Sequence, residues 1–332
     1  MPFFVAIALA LILTWVARRV GLATGLVDRP PAGGVGADGL KIHTVPIPVL
    51  GGLGVVTAML GTLVLVGAEL RPAVIGGVVL ATAIGLVDDV RPLGAGIRMV
   101  ALTVAGLLLA AGLPLSELGP MARPGVVVLL LLLANAVNLI DGQDGLAGGL
   151  AAIACVGLAA VIAAGGGDPA AAIALAGAVV GFLAWNLPPA RVFLGNGGAY
   201  GLGALLTVLA AEATAGHGWH GLLAAALCLG VFAFELTFTV VRRLLASQGL
   251  ATGDRRHSYD LLARYAGNRD RSTLALWTLG AVSAGAGYAA DQVSLAAAVT
   301  MLAVAFVIGT AAGGRLWRDA TLGEPSGPEE RP

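Results

Sequence analysis

Charge is what this sequence has least of. Asp, Glu, Lys and Arg make up 11% of its 332 residues, against roughly 25% in soluble globular domains. That scarcity excludes an ordinary water-soluble protein, and no hydrophilic stretch is long enough to form a separate soluble domain. Nineteen basic side chains balance nineteen acidic ones, so net charge gives no sign of nucleic-acid binding and none is expected. Cysteine is sparse too. Cys155 and Cys228 lie in separate apolar runs and read as packing residues, not as a disulfide or a metal site. No internal repeat of the kind that marks many transporters is visible. The first apolar run lacks a basic region before it, and Arg18 and Arg19 follow it. An uncleaved anchor with its N-terminus outside is expected, not a signal peptide.

What the chain does have is apolar length. Hydrophobic residues make up 58% of it and glycine accounts for 50 positions, small residues being what lets membrane helices approach closely. A bilayer core takes about 20 apolar residues per helix. The runs near 2–22, 48–68, 72–87, 97–113, 124–140, 145–165, 170–187, 198–214, 219–241, 272–289 and 292–313 predict about eleven transmembrane helices. The expected fold is all-α and polytopic: one integral-membrane domain over 1–318, followed by a disordered cytoplasmic tail over 319–332. With the N-terminus outside, the external loops carry only Arg71 and Arg123, and the other seventeen basic residues fall on the cytoplasmic side. The positive-inside rule therefore fixes the orientation and places the C-terminus in the cytoplasm.

Polar residues gather in a few segments, all on that side. Asp88 and Asp89 are adjacent carboxylates at a membrane boundary, which repel each other unless a cation, a shared proton or water offsets them; a solvated helix end would also explain them. Asn135, Asn138 and Asp141 are spaced by three, so they share one helix face. Immersing two amides and a carboxylate below the headgroups is costly unless they have partners or line a wet cavity. Asp144 follows, with Gly142 and Gly145 free to turn tightly beside a ligand. Gly195-Asn196-Gly197-Gly198 precedes another helix, where backbone N–H groups cradle phosphate or where Asn simply caps the turn. The segment 242–271 holds seven Arg residues, including Arg255 and Arg256, together with His257. Anchoring to anionic lipid heads explains most of the arginines, but not the His or the nearby Asp254 and Asp260. Carboxylates, glycine turns, cations and a His on one membrane face suit a divalent cation and a phosphorylated ligand.

The order of these motifs resembles that of the polyprenyl-phosphate N-acetylhexosamine-1-phosphate transferases. The matching segments run from Leu26-Val-Asp28-Arg-Pro and Lys41-Ile-His43, with Pro46-Ile-Pro48-Val-Leu-Gly51-Gly52, through Asp88-Asp89 and Asn138-Leu-Ile-Asp141-Gly-Gln-Asp144, to Phe193-Leu-Gly195 and Asp254-Arg-Arg-His257. The resemblance implies transfer of N-acetylhexosamine-1-phosphate from a UDP-N-acetylhexosamine to a membrane polyprenyl phosphate, with release of UMP, at a cytoplasm-facing site in the plasma membrane. The polyprenyl-diphospho-sugar product would serve cell-envelope polysaccharide synthesis. The resemblance further implies Mg²⁺, with Mn²⁺ as a substitute, and partners limited to polyprenyl phosphate, the UDP-sugar, membrane lipid and a second copy in a homodimer. It places Asp88 at nucleophile activation or positioning, with Asp89 beside it. Asn138, Asp141 and Asp144 would line the nucleotide and metal pocket. Lys41 and His43 would sit near lipid phosphate or pyrophosphate, and Arg255, Arg256 and His257 near the sugar phosphate. The metal would be held by Asp89, Asp141 and position 196.

The chain departs from the family pattern in several places. Asn196 stands where the family usually has a metal-ligating Asp, and Leu40 where many members have Arg. His257-Ser258-Tyr259-Asp260 replaces the frequent His-x-His-His, and the absent three-histidine loop disfavours a muramoyl-pentapeptide substrate. A catalytically impaired member that binds lipid phosphate or nucleotide is the alternative within the family, and a transporter is the alternative outside it.

Overall fold

A computed structural model describes residues 1–30, 43–115, 118–249 and 254–322. The chain is an all-α membrane protein. Its helices are α1 (Pro2–Thr24), α2 (Gly51–Leu65), α3 (Pro72–Val90), α4 (Ala95–Gly112), α5 (Ala122–Ile140), α6 (Leu146–Ala164), α7 (Ala170–Asn186), α8 (Gly195–Glu212), α9 (Trp219–Cys228), α10 (Gly230–Leu245), α11 (Ser258–Ala266), α12 (Arg269–Asp291) and α13 (Leu295–Leu322). Each of the eleven expected apolar segments falls on helix. Among the described residues, six helices are long and apolar enough to cross a membrane: α1, α3, α4, α5, α6 and α13. The bent pair α9 and α10 makes a seventh if counted as one span. By length and composition the count is thus four below the expected eleven: α2 and α7 are apolar but only 15 and 17 residues long, and α8 and α12, with 18 and 23 residues, are not apolar enough.

Helix α8 is the centre of the bundle. It is buried continuously from Gly197 to Ala211, and α3 and α5 pack along it. Glycine makes the approach feasible. A Cβ at Gly52 of α2 would overlap the Cα of Gly198, one at Gly85 of α3 would overlap the Asn196 carbonyl, and one at Gly203 would lie 2.6 Å from the Ala134 Cα of α5. With little hydrophobic drive between helices in lipid, such backbone proximity is what holds them together.

Two features differ from the sequence expectation. The single helix expected over 219–241 bends by 70° between Cys228 and Gly230. At the bend, Ser283 of α12 donates to the Leu227 carbonyl at 2.5 Å, in addition to the backbone N–H that this carbonyl accepts at the end of α9. Part of the expected 242–271 loop is helix α11, closed by Gly267 at φ 70°. Helix α13 runs to Leu322, through the first four residues of the expected tail; residues 323–332 lie outside the described residues. A short antiparallel pair, β1 (Val27–Asp28) with β2 (Ile47–Pro48), joins the segments that flank 31–42. Lys41 falls within that stretch, outside the described residues.

Candidate active site

One end of the bundle opens into a cavity of about 490 Å³, within the usual range for a small-molecule site. Its walls come from the ends of α3, α5 and α7, the starts of α4 and α8, and the segment around α11.

The spacing argument for α5 holds: Asn135, Asn138 and Asp141 all line the cavity. Asn138 Nδ2 donates to Asn196 Oδ1 at 2.5 Å, and the Asn196 side chain also hydrogen-bonds Asp89. Asp89 itself receives two backbone donors, Asn196 N–H at 2.9 Å and Gly197 N–H at 3.0 Å. These are orphan groups of the first turn of α8, so a carboxylate from α3 caps α8 from outside. The N–H groups that a phosphate would use at that helix end are therefore already taken by Asp89. Gly195 fits there because it sits at φ 75° and a Cβ would overlap the Val49 carbonyl.

Asp141 is half-buried in the cavity wall, and its desolvation there, followed by the nearby carboxylates of Asp89 and Asp144, pushes its carboxyl well above the ordinary range. A cation is the simplest offset for such a group. Among the described residues, no group of three His, Cys, Asp or Glu side chains is close enough to hold a metal alone. Asp89, Asp141 and the amide oxygen of Asn196 form a sparse oxygen set. That set fits Mg²⁺, which keeps waters and binds through one or two carboxylates plus substrate phosphates.

Asp88 occupies a different place from its neighbour. It is buried and outside the cavity lining, accepting from Leu93 N–H at 2.6 Å, Tyr200 Oη at 3.0 Å and Arg98 Nη1 at 3.4 Å. Arg98 does line the cavity. Asp144 accepts the Ala190 N–H at 2.8 Å. Asn186 accepts the Gly145 N–H and donates to the Val192 carbonyl, both at 3.0 Å. Together they fasten the 187–194 connection to the α5–α6 turn. His43 lines the cavity with Nε2 2.9 Å from Asp28 Oδ2 and Nδ1 2.9 Å from the Val45 carbonyl.

The basic side of the cavity is built on α10 and α11. Asp254 receives Arg242 through both oxygens, at 2.7 and 2.8 Å, and Arg243 Nε at 3.1 Å. Burial works against its charge, but the Arg242 hydrogen bonds, the Arg256 N–H and the nearby positive charge together outweigh it and hold Asp254 below the ordinary carboxylate range. Asp260 lies 3.5 Å from Arg255 and 3.6 Å from Arg269. Burial still raises its carboxyl, although both arginines oppose the shift. Arg255 and His257 line the cavity, whereas the exposed Arg256 does not; its backbone N–H donates to Asp254. Tyr259 stacks on His257 with ring centroids 5.2 Å apart and donates to the Leu139 carbonyl at 3.2 Å. A Cβ at Gly142 would overlap the Tyr259 hydroxyl, so that glycine admits α11 to the α5–α6 turn.

Of the residues expected at the site, Asp89, Asn138, Asp141, Asp144, Asn196, His43, Arg255 and His257 come together around this cavity. Arg98, Asn186 and Tyr259 join them without having been singled out from sequence. A signal existed for Asn186: it is an isolated amide closing an apolar run.

An apolar helical bundle with a polar cavity of carboxylates, amides and arginines at one end defines a membrane protein built to handle a charged, water-soluble ligand beside lipid. Residues 72–214 match the sequence profile of glycosyl transferase family 4. The chain is 28% identical over 297 residues to a probable undecaprenyl-phosphate N-acetylglucosaminyl 1-phosphate transferase of Bacillus subtilis (strain 168), covering 84% of this chain and 81% of the relative. It is 30% identical over 295 residues to the decaprenyl-phosphate N-acetylglucosaminephosphotransferase of Mycobacterium tuberculosis (strain ATCC 25618 / H37Rv), covering 74% and 72%. A phospho-N-acetylmuramoyl-pentapeptide-transferase of Synechococcus sp. (strain RCC307) is 36% identical over 245 residues, covering 63% and 66%. The chain belongs to this family of membrane sugar-1-phosphate transferases.

Proposed function

We infer that this protein transfers N-acetylhexosamine-1-phosphate from a UDP-sugar to polyprenyl phosphate on the cytoplasmic face of the plasma membrane. An oxygen of the lipid phosphate forms a bond to the sugar-side phosphorus of the donor. The bond from that phosphorus to the bridging oxygen breaks, and UMP leaves with the electron pair. The observation that carries the reading is the placement of the cavity. A polar cavity at one end of an apolar bundle would let a lipid nucleophile stay in the membrane while a nucleotide enters from water, and family membership supports the reaction type.

Asp89, Asp141 and Asn196 would hold Mg²⁺, which when bound offsets charge on the pyrophosphate oxygens. The chain's own groups do the positioning. Arg98, held by Asp88, faces the cavity from α4 and suits an anionic lipid headgroup. Asn138 and Asp144 border the nucleotide side, and Arg255 with His257 the sugar-phosphate side. Lipid phosphate is largely ionised near neutral pH, so Asp88 need not act as a base. Its observed partners favour holding Arg98 in place.

Asn196 supports the second reading, a member that binds but turns over poorly, because an amide brings one negative charge fewer than the Asp that family resemblance leads one to expect there. The experiment is transfer of radiolabelled sugar phosphate from UDP-N-acetylglucosamine to polyprenyl phosphate by purified protein, with and without Mg²⁺. Metal-dependent lipid product is expected. Silence in the native chain with product from N196D supports the second reading. Silence in both, with other UDP-N-acetylhexosamines also tried, overturns the transferase.

A further inference from the structure

Glu235 lies on α10, is 1% exposed, and is absent from the cavity lining. A buried carboxylate needs donors on its oxygens, and this one is surrounded by them. Oε2 receives the Ser258 backbone N–H at 3.2 Å and the Ser258 hydroxyl. Oε1 receives the Thr239 hydroxyl at 2.9 Å and lies 2.8 Å from His257 Nδ1. An ionised carboxylate can only accept, so the contact with His257 requires the proton on Nδ1. The other ring nitrogen, Nε2, has no hydrogen-bond partner among the described residues, and His257 borders the cavity. The ring plane is fixed as well, lying 2° from parallel with Tyr259.

We propose that Glu235 is a positioning residue for the transfer, holding His257 with Nδ1–H turned inward and Nε2 presented to the sugar-1-phosphate of the donor. The proposal rests on the transferase reading for what Nε2 meets, but not for the orientation of the ring. A purely structural cap of α11 would need only the Ser258 contacts on Oε2. The use of Oε1 for His257 Nδ1 is the part a cap does not require. A carboxylate behind an imidazole sets both its tautomer and its direction, which is the general means by which a second residue tunes a working His.

The chain has four histidines, so ¹⁵N-histidine spectra of the full protein in lipid nanodiscs, assigned with H257Q, can read the tautomer directly. The expected wild-type result is Nδ1 protonated with Nε2 of the unprotonated type when the ring is neutral, and loss of that preference in E235Q. In turnover, E235Q is expected to lower kcat by about 10²-fold with KM for the UDP-sugar changed less than about threefold, and E235D to restore part of the loss. A wild-type His257 protonated on Nε2, or an E235Q protein with unchanged tautomer and kcat, overturns the proposal. If E235Q does not fold, the wild-type spectrum still decides the orientation. If neither wild type nor N196D makes lipid product from any UDP-N-acetylhexosamine while the wild-type tautomer is as stated, the transferase reading fails and the Glu235–His257 arrangement stands.

Discussion

At the residue scale, Asn196 carries the most consequence. Its side chain links Asn138 to Asp89, so it satisfies a crowded acidic corner without a cation. Replacing it with Asp removes the amide donor facing Asp89 and sets two carboxylates side by side. N196D should therefore be less stable than wild type in EDTA, by about 1–3 kcal/mol, and should gain more from added Mg²⁺. Melting in detergent with EDTA and with Mg²⁺ checks this; equal metal responses in the two proteins would count against a metal at this corner. Asp254 gives a pH-dependent counterpart. Its carboxyl is held below the ordinary range, so its contribution is present above the unfolded value near pH 4 and lost as pH falls through the lowered folded value. D254N leaves Arg242, 2% exposed, without its carboxylate and should cost about 3–5 kcal/mol at pH 7. The gap between wild-type and D254N melting temperatures should close only below about pH 4. Asn138 and Asp141 were legible because a spacing of three within an apolar run is a pattern. Glu235 was not, because its partners His257 and Ser258 lie 22 and 23 residues away and a lone acid near a helix end looks solvated. Gln143, which reaches the Arg269 carbonyl 126 residues on, was unreadable for the same reason.

At the scale of elements, the site depends on how closely α2 and α3 approach the first turn of α8. Gly52 and Gly85 meet the backbone of Gly198 and Asn196 directly, and a backbone cannot move aside as a side chain tip can. G52A should force α2 away from α8, cost about 1–3 kcal/mol or more, and reduce lipid-product formation by displacing Asn196 relative to Asp89. G61A on the same helix, where a Cβ would meet only the end of Leu9 at 3.6 Å, should leave both melting and turnover near wild type. Comparing the two variants separates a local packing effect from general glycine loss in α2. The helices themselves were readable from apolar length, but their breaks were not. The bend at Leu229 has no proline to announce it, and its stabilising partner Ser283 comes from α12. Helix α11 was hidden in a polar, Arg-rich segment, where packing of Tyr259 on Gly142, the Glu235 contacts and the Ser272 bond to the Tyr259 carbonyl give it a place to form.

At the scale of the whole molecule, polarity and charge divide along the bundle. The cavity lies at one end, whereas the Arg71–Glu212 pair and the His217–Asp291 contact lie at the other. The chain termini of successive helices alternate between these ends, so each connection belongs to one side. Arg71 and Arg123 begin α3 and α5 at the end away from the cavity, while the arginines of α4, α10, α11 and α12 gather at the cavity end. The basic residues therefore gather at the same end as the cavity, the arrangement that a cytoplasm-facing site would give under the positive-inside rule. This leads to a labelling prediction. Cys155 and Cys228 are buried, which leaves the background quiet for single exposed reporters. On intact cells a membrane-impermeant maleimide should modify E69C, between α2 and α3, and S294C, between α12 and α13. A95C, at the start of α4, and Y265C, on the 82% exposed tip of α11, should react only after the membrane is opened. Labelling of A95C and Y265C on intact cells would put the cavity outside. A nucleotide donor made in the cytoplasm could not then reach it, so sidedness tests the reaction as directly as it tests the fold.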